Sequence, residues 1–218
     1  MAKKSKTKKI KANKREKSSG NGTEKAIAHF KRRGGILRTR DALADGIHRR
    51  TLYALRDQGV VEQMARGLYR LVDAPPLAAP DLITVSAKIP QGVICLISAL
   101  AFHELTTQIP HQVDLAIPRN SEPPRLDYPP LRVYRFSAAA FSAGIEDHML
   151  DGVRVRVYDA EKTLADCFKY RNKIGLDTAL EALRFYKERR RVNVEALLRY
   201  AGICRVTNVM RGYLEAIL

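Results

Sequence analysis

The run from Ile47 to Val72 constrains the chain more than any other stretch. His48 to Gln58 carries a helical pattern that stops at Gly59. At about 100° per residue, Ile47, Thr51, Leu55 and Leu52 fall on one apolar arc. Arg49, Arg50, Tyr53, Arg56 and Asp57 fall on the other side. A solvated helix usually interleaves Glu with Lys, whereas this outer face holds three arginines and a single acid. Directly beyond Gly59 come Val60–Met64, Ala65-Arg66-Gly67 and Leu68–Val72, which read as strand, tight turn and strand.

Upstream signals complete the unit. Thr23 is placed to cap a first helix, with Glu24 in its first turn and Ala26, Ile27 and Phe30 facing inward. Gly34-Gly35 ends it, and Ile36-Leu37 is a short apolar pair suited to a small strand. Thr39 is the expected N-cap of a second helix buried through Ala42 and Leu43, and Asp45-Gly46 is a turn signal. Helix, helix, turn, helix and hairpin is the order of a winged helix-turn-helix, expected over residues 23–75. Asp73-Ala74-Pro75-Pro76 then reads as a linker. Arginine suits bidentate contacts with guanine edges and phosphates. The expected nucleic-acid contacts are therefore Arg49, Arg50, Tyr53 and Arg56 on the third helix and Arg66 at the hairpin tip, with Thr39 ahead of the second helix. His48 opens the third helix either as a cap or as a phosphate contact.

Charge supports a polyanionic partner. The net charge is +16 over 218 residues. Residues 1–20 hold nine Lys/Arg against one Glu, residues 21–79 eleven against six acids, and residues 80–218 nineteen against sixteen. The excess is concentrated at the N-terminal end, and nucleic acid is the common polyanion. Residues 1–22 are nearly devoid of apolar side chains and are expected to be a disordered basic tail. That tail serves either as an arm adding salt-dependent phosphate affinity or as a solubilising segment. The longest apolar run, Val93-Ile94-Cys95-Leu96-Ile97, is far short of the roughly 18 residues that span a bilayer. No apolar signal segment follows Met1. The expectation is a cytoplasmic, bacterial protein with no membrane partner.

Residues 76–218 read as a second domain, so the fold class is α+β: a winged helix-turn-helix, then a mixed α/β domain ending in a helical subdomain. Leu82, Val85, Ala87 and Ile89 suggest a helix stopping before Pro90, and Gly92–Ile97 a buried strand. Ser98 is expected to cap a helix through Leu105. Val113–Ile117 and Leu131–Phe136 read as strands flanking a proline-rich loop. His148–Tyr158 reads as a hairpin on Asp151-Gly152. Beyond Asp159 everything is helical, with Asn193 as a cap. The stripe Val206, Val209, Met210, Tyr213, Leu214 and Ile217 is amphipathic and reads as intramolecular core rather than a partner groove.

Catalytic patterns are missing. The chain has no phosphate loop, no G-x-G-x-x-G and no G-x-S-x-G elbow. His29, His48, His103, His111 and His148 are scattered, and no cofactor or metal is expected. A metal-dependent nuclease would start from Asp114 on its strand, but Glu161-Lys162 lacks the spacing such a site needs. Cys95, Cys167 and Cys204 are far apart among apolar neighbours and read as buried, reduced thiols. Asp166 lies in an apolar helix and needs a partner, for which Arg119, Lys162 or a backbone amide are the candidates.

Taken in order, several runs resemble the AbiEi-type antitoxins of bacterial type IV toxin–antitoxin systems. They are Leu52-Tyr53-x-Leu55-Arg56-Asp57-x-Gly59-Val60 and Arg66-Gly67-x-Tyr69-Arg70-Leu71, then Ile94–Leu100, His103-x-Leu105-Thr106 and Lys162-Thr163-x-x-Asp166-Cys167. The resemblance covers nearly everything from residue 23 onward, while the lysine-rich run Lys3–Lys17 lies outside the family's pattern. It implies a non-enzymatic antitoxin whose winged domain binds inverted repeats in double-stranded DNA at its own promoter and represses the operon. It also implies that the C-terminal domain counteracts a nucleotidyltransferase-like toxin without a stable complex. Within that domain Ser98, Arg119, Lys162 and Asp166 are the candidate residues. The competing expectation is a plain winged-helix regulator whose C-terminal domain senses a ligand or dimerises.

Overall fold

A computed structural model describes residues 22–189 and 191–217. The expected tail over residues 1–22 lies outside them, apart from Gly22, which is already helical. The fold is mixed α+β and divides into two units. One runs to Ala78 and includes Leu150–Val153, and the other comprises Ala79–Met149 and Arg154–Leu218.

In the first unit, helix α1 (22–32) buries Ala26 and Phe30 completely. It ends at Gly34 and Gly35, both at positive φ, where the Gly35 amide donates to the Phe30 carbonyl at 2.7 Å. A residue with a Cβ is strained in that left-handed conformation, so glycine is what allows the sharp stop. Strand β1 (Ile36–Arg38), helix α2 (Thr39–Ala44), helix α3 (Arg49–Asp57) and the hairpin β2 (Val61–Ala65) and β3 (Leu68–Leu71) follow. The three strands form an antiparallel sheet in the order β1-β3-β2. Pairing of Leu37 with Tyr69 and of Val61 with Leu71 puts their side chains into one core with Phe30, Ala42, Ile47, Leu52 and Leu55.

One expectation is corrected here. Thr39 is not the cap of α2: Arg38 holds that position, makes no side-chain cap bond, and instead pairs with Asp41 at 3.0 Å. The Thr39 amide is used elsewhere, donating to the Gly67 carbonyl at 2.9 Å. This bond occupies an amide that would otherwise be an orphan of the first helical turn, and it ties the hairpin turn to the start of α2.

The second unit is built on a five-stranded mixed sheet in the order β6-β5-β4-β8-β7. Its strands are β4 (Val93–Ile94), β5 (Val113–Pro118), β6 (Leu131–Phe136), β7 (Ile145–Leu150) and β8 (Val153–Tyr158). β5 runs antiparallel to β4 and parallel to β6, while β4 and β8 are parallel. The β7–β8 turn is Asp151-Gly152, with φ of 46° and 77°, the double positive φ of a two-residue hairpin turn. Helices α4 (Pro80–Lys88), α5 (Leu96–Phe102), α6 (Ala138–Ser142), α7 (Ala160–Lys169), α8 (Arg171–Ile174), α9 (Leu176–Lys187), α10 (Val194–Cys204) and α11 (Thr207–Ile217) complete it. α6 is not among the expected elements, although Ser137 ahead of three alanines is a usable start signal.

Helix α7 is the centre of this unit. Every residue from Lys162 to Phe168 is buried, because α5, α9, α10 and α11 all pack against it. Its start is set by Asp159, whose Oδ1 accepts from the Lys162 amide at 2.6 Å. Asn193 caps α10 in the same manner, accepting from the Ala196 amide at 3.0 Å. The terminal stripe is core: Val206, Met210 and Leu214 are buried, with Val209, Tyr213 and Ile217 packed against the same cluster. Cys95, Cys167 and Cys204 are buried and free.

The apolar run 93–97 behaves differently from expectation. Only Val93 and Ile94 are strand, Cys95 is the cap position, and α5 begins at Leu96 with φ of 47°. Ser98 therefore lies inside the helix rather than at its cap. A short, wholly apolar run suits a buried strand and a buried helix equally, so the break at Cys95 has no signature in hydrophobicity.

Candidate nucleic-acid interface

The inner arc of α3 is Leu52 and Leu55, 1% and 0% exposed. With Ile47 they lock the helix onto the core of the first unit, and truncating either leucine to alanine costs about 2–5 kcal/mol. The outer face presents Arg49, Arg50, Tyr53, Arg56 and Asp57 to solvent. His48 occupies the N-cap position with extended backbone, and its side chain makes no cap bond and is exposed. Of the two expectations for His48, the capping hydrogen bond is therefore not formed.

The side chains on this face are partly pre-oriented. The Arg56 guanidinium lies over the Tyr53 ring, 5.4 Å from its centroid. Its Nε and Nη2 donate to Asp57 Oδ1 at 3.1 and 2.8 Å. The Asp57 carboxylate holds the Arg56 pKa above its ordinary value. Such an exposed pair stabilises the fold very little. Its consequence is positional, because it holds a planar fork of donors at the surface.

Arg66 is exposed in the two-residue turn between β2 and β3. Gly67 beside it has φ of 73°, and an added Cβ would sit 3.4 Å from Thr39 Oγ1. The Thr39–Gly67 bond thus sets where Arg66 stands relative to α2. Arg70, equally conspicuous in the sequence, has a different task. Its Nη1 pairs with Glu62 at 2.9 Å and its Nη2 donates to the carbonyls of Ala74 and Pro75, fastening the segment after β3.

The four candidate residues of the second unit do not converge. Arg119 is exposed just after β5. Ser98 is buried, donating to the Gln112 carbonyl at 3.3 Å and accepting from the Asp114 amide at 2.9 Å, so it ties α5 to β5. Lys162 and Asp166 are both 0% exposed and form an ion pair of 2.5 Å one helical turn apart. Of the three partners considered for Asp166, the structure selects Lys162. The Lys162 ammonium also lies 4.3 Å from the Tyr158 ring centroid and 4.9 Å from that of Phe136. The Cys204 thiol donates to the other Asp166 oxygen at 3.2 Å. Burial pushes that thiol up to about 12, which keeps it protonated and able to donate. The pair is enclosed within the core around α7.

Asp114, the acid on which a nuclease would depend, is 2% exposed. Its Oδ2 accepts from the Ile97 amide at 3.2 Å, while Oδ1 has no partner. Among the described residues no group of three His, Cys, Asp or Glu is placed to hold a metal ion. Burial raises the Asp114 pKa from 3.8 to about 6. The folded chain therefore holds a proton that the unfolded chain releases, and stability falls as pH rises from about 4 to about 6. Asp114→Asn is expected to flatten that slope and to add about 1–3 kcal/mol near pH 7. Urea unfolding midpoints between pH 4 and pH 8 measure this. An unchanged slope in the variant would refute the assignment to Asp114.

Residues 24–72 match the family model described as a transcriptional regulator, AbiEi antitoxin. The match runs from the third residue of α1 to just past the end of β3, including every residue of the arginine face and the hairpin turn. A search of curated proteins found no match. Among the described residues no helix is long and apolar enough to cross a membrane.

Proposed function

We propose that this chain, whose residues 24–72 match the model of the AbiEi antitoxin transcriptional regulators, binds its own promoter through a winged helix-turn-helix and represses the operon. In this reading α3 is the recognition helix and enters the major groove. Arg49, Arg50 and Arg56 meet base edges and phosphates, Tyr53 supports Arg56, and Arg66 on the wing meets the flanking backbone. Thr39 and His48 stand at the starts of α2 and α3 for further phosphate contacts. The observation that carries the proposal is the outer face of α3, which holds three exposed arginines on a helix locked in place by Leu52 and Leu55.

The second unit is then the antitoxin portion of a cytoplasmic type IV system. It acts without enzymatic chemistry and without a stable complex with a nucleotidyltransferase-like toxin. Its two conspicuous polar residues, Lys162 and Asp166, are consumed by each other in the core, consistent with a scaffold rather than a reaction centre.

The test has two arms. The full chain is titrated onto a fragment of its own upstream region at several salt concentrations, and it is co-expressed with the nucleotidyltransferase-like toxin that this reading expects to be encoded beside it. Saturable binding to inverted repeats, with affinity falling steeply as salt rises, supports repression. Restored growth supports the antitoxin assignment. Equal affinity for the upstream fragment and for unrelated duplex refutes operator recognition, and failure to restore growth refutes the antitoxin role.

A further inference from the structure

We propose that a groove along β6 in the second unit binds a nucleoside phosphate, with Arg132, Arg135 and Lys173 holding the phosphates and Tyr170 the base. The groove has a volume of about 520 Å³ and is lined by Arg132, Val133, Tyr134, Arg135, Tyr170 and Lys173. That volume is within the range of small-molecule sites. Its lining carries three cations and no acid.

Arg132, Arg135 and Lys173 form no salt bridge with a described residue, unlike Arg70 and Arg154, which pair with Glu62 and Asp147. Asp114 stands opposite Arg132 in the β5–β6 ladder but is buried and makes no ion pair with it. Instead Arg132 Nη2 donates to the Lys173 carbonyl at 3.4 Å and its guanidinium lies 5.5 Å from the Tyr134 ring centroid, while Lys173 Nζ lies 5.7 Å from that of Tyr170. Such contacts are weak at exposed positions, so an arriving phosphate competes well for both groups. An ammonium that leaves the Tyr170 ring for a phosphate also uncovers the surface on which a base stacks.

The rest of the groove is pre-formed. The Tyr170 ring is stacked on Phe136 at 5.6 Å and 17°, and meets Tyr134 edge-on at 5.1 Å. β6 is the last strand of the sheet, so its outer edge has no strand partner among the described residues. A rigid aromatic floor flanked by cations that form no salt bridge with a described residue offers a nucleotide a stacking surface beside phosphate-binding donors. Every residue named as lining the groove belongs to the second unit.

The proposal is tested by calorimetric titration of the full chain with ATP, GTP, CTP and UTP, with inorganic tripolyphosphate and with a short single-stranded RNA. At least one nucleotide is expected to bind saturably below about 1 mM, and tripolyphosphate at least about tenfold more weakly because it cannot stack. Arg135→Gln/Lys173→Gln changes two exposed residues and should weaken nucleotide binding about tenfold or more. Tyr170→Leu should weaken nucleotide binding while leaving tripolyphosphate unaffected. Arg49→Ala/Arg56→Ala should change neither. If the RNA competes with the nucleotide and is itself weakened by Arg135→Gln/Lys173→Gln, the nucleoside phosphate is supplied by a strand, and if it does not compete, by the free nucleotide. The absence of saturable nucleotide binding overturns the proposal. So does binding that is unchanged in Arg135→Gln/Lys173→Gln or lost in Arg49→Ala/Arg56→Ala. The last result would place it on the proposed DNA surface.

Discussion

Replacing Arg49 and Arg56 together with alanine is expected to weaken the proposed operator binding at least about 30-fold while the first unit stays folded. Both side chains are exposed and project from the face of α3 opposite Leu52 and Leu55, so their removal leaves the core untouched. Each arginine that reads a base accounts for about 1–3 kcal/mol of discrimination. The pair together therefore weakens specific binding by roughly 30-fold to 10⁴-fold. Where either arginine also neutralises a phosphate, its removal lowers the slope of log affinity against log salt by about 1. An electrophoretic shift series on the upstream fragment, run alongside unrelated duplex, measures both effects. Wild-type affinity in the double variant at moderate salt would remove α3 from the interface. Arg70 is the instructive contrast, since its guanidinium is spent on Glu62, Ala74 and Pro75. Arg70→Ala should lower stability with little effect on specificity.

Lys162→Met is expected to be the most destabilising single change in the second unit, at about 3–5 kcal/mol. It leaves the Asp166 carboxylate fully buried with only the Cys204 thiol to satisfy it. Burial already pushes the Asp166 carboxyl upward, with the Lys162 ammonium pulling in the opposite direction. Removing both charges, as in Lys162→Met/Asp166→Leu, should recover most of that loss, because an apolar pair of similar volume avoids the desolvation cost of two ions. Urea unfolding of the single and double variants forms the measurement. A Lys162→Met protein as stable as wild type would show that the pair is not a structural keystone. If the double variant is stable yet fails to restore growth in the co-expression test of the proposed antitoxin role, Lys162 and Asp166 act in that role directly rather than through the fold.

Much of the first unit is legible in the sequence because its signals are local. Gly34-Gly35, Asp45-Gly46 and Gly59 punctuate the helices, and the 3.6-residue period of Ile47, Leu52 and Leu55 separates a buried arc from the arginine face. Thr39 misleads for an equally local reason: threonine ahead of a helix is a good cap. Yet here the helix starts one residue early and the Thr39 amide is drawn to Gly67, 28 positions along the chain. In the second unit the terminal stripe from Val206 to Ile217 and the Asp151-Gly152 turn are readable for the same reasons of period and turn chemistry. The run from Val93 to Ile97 is not, since hydrophobicity alone does not tell a two-residue strand from the first turn of a buried helix.

By itself, then, the sequence determined which face of α3 is apolar and which is cationic, where the hairpin turns, and, apart from the exposed Leu43, which residues fill the core of the first unit. These follow from backbone periodicity and turn conformations that need only near neighbours. The tertiary structure alone decided the partners of polar groups. It chose Lys162 rather than Arg119 for Asp166, made Ser98 a link between α5 and β5, and assembled Arg132, Arg135, Tyr170 and Lys173 into one groove. Those choices depend on which strands and helices meet, and a carboxylate or a guanidinium finds its partner in space wherever burial makes an unpaired charge costly.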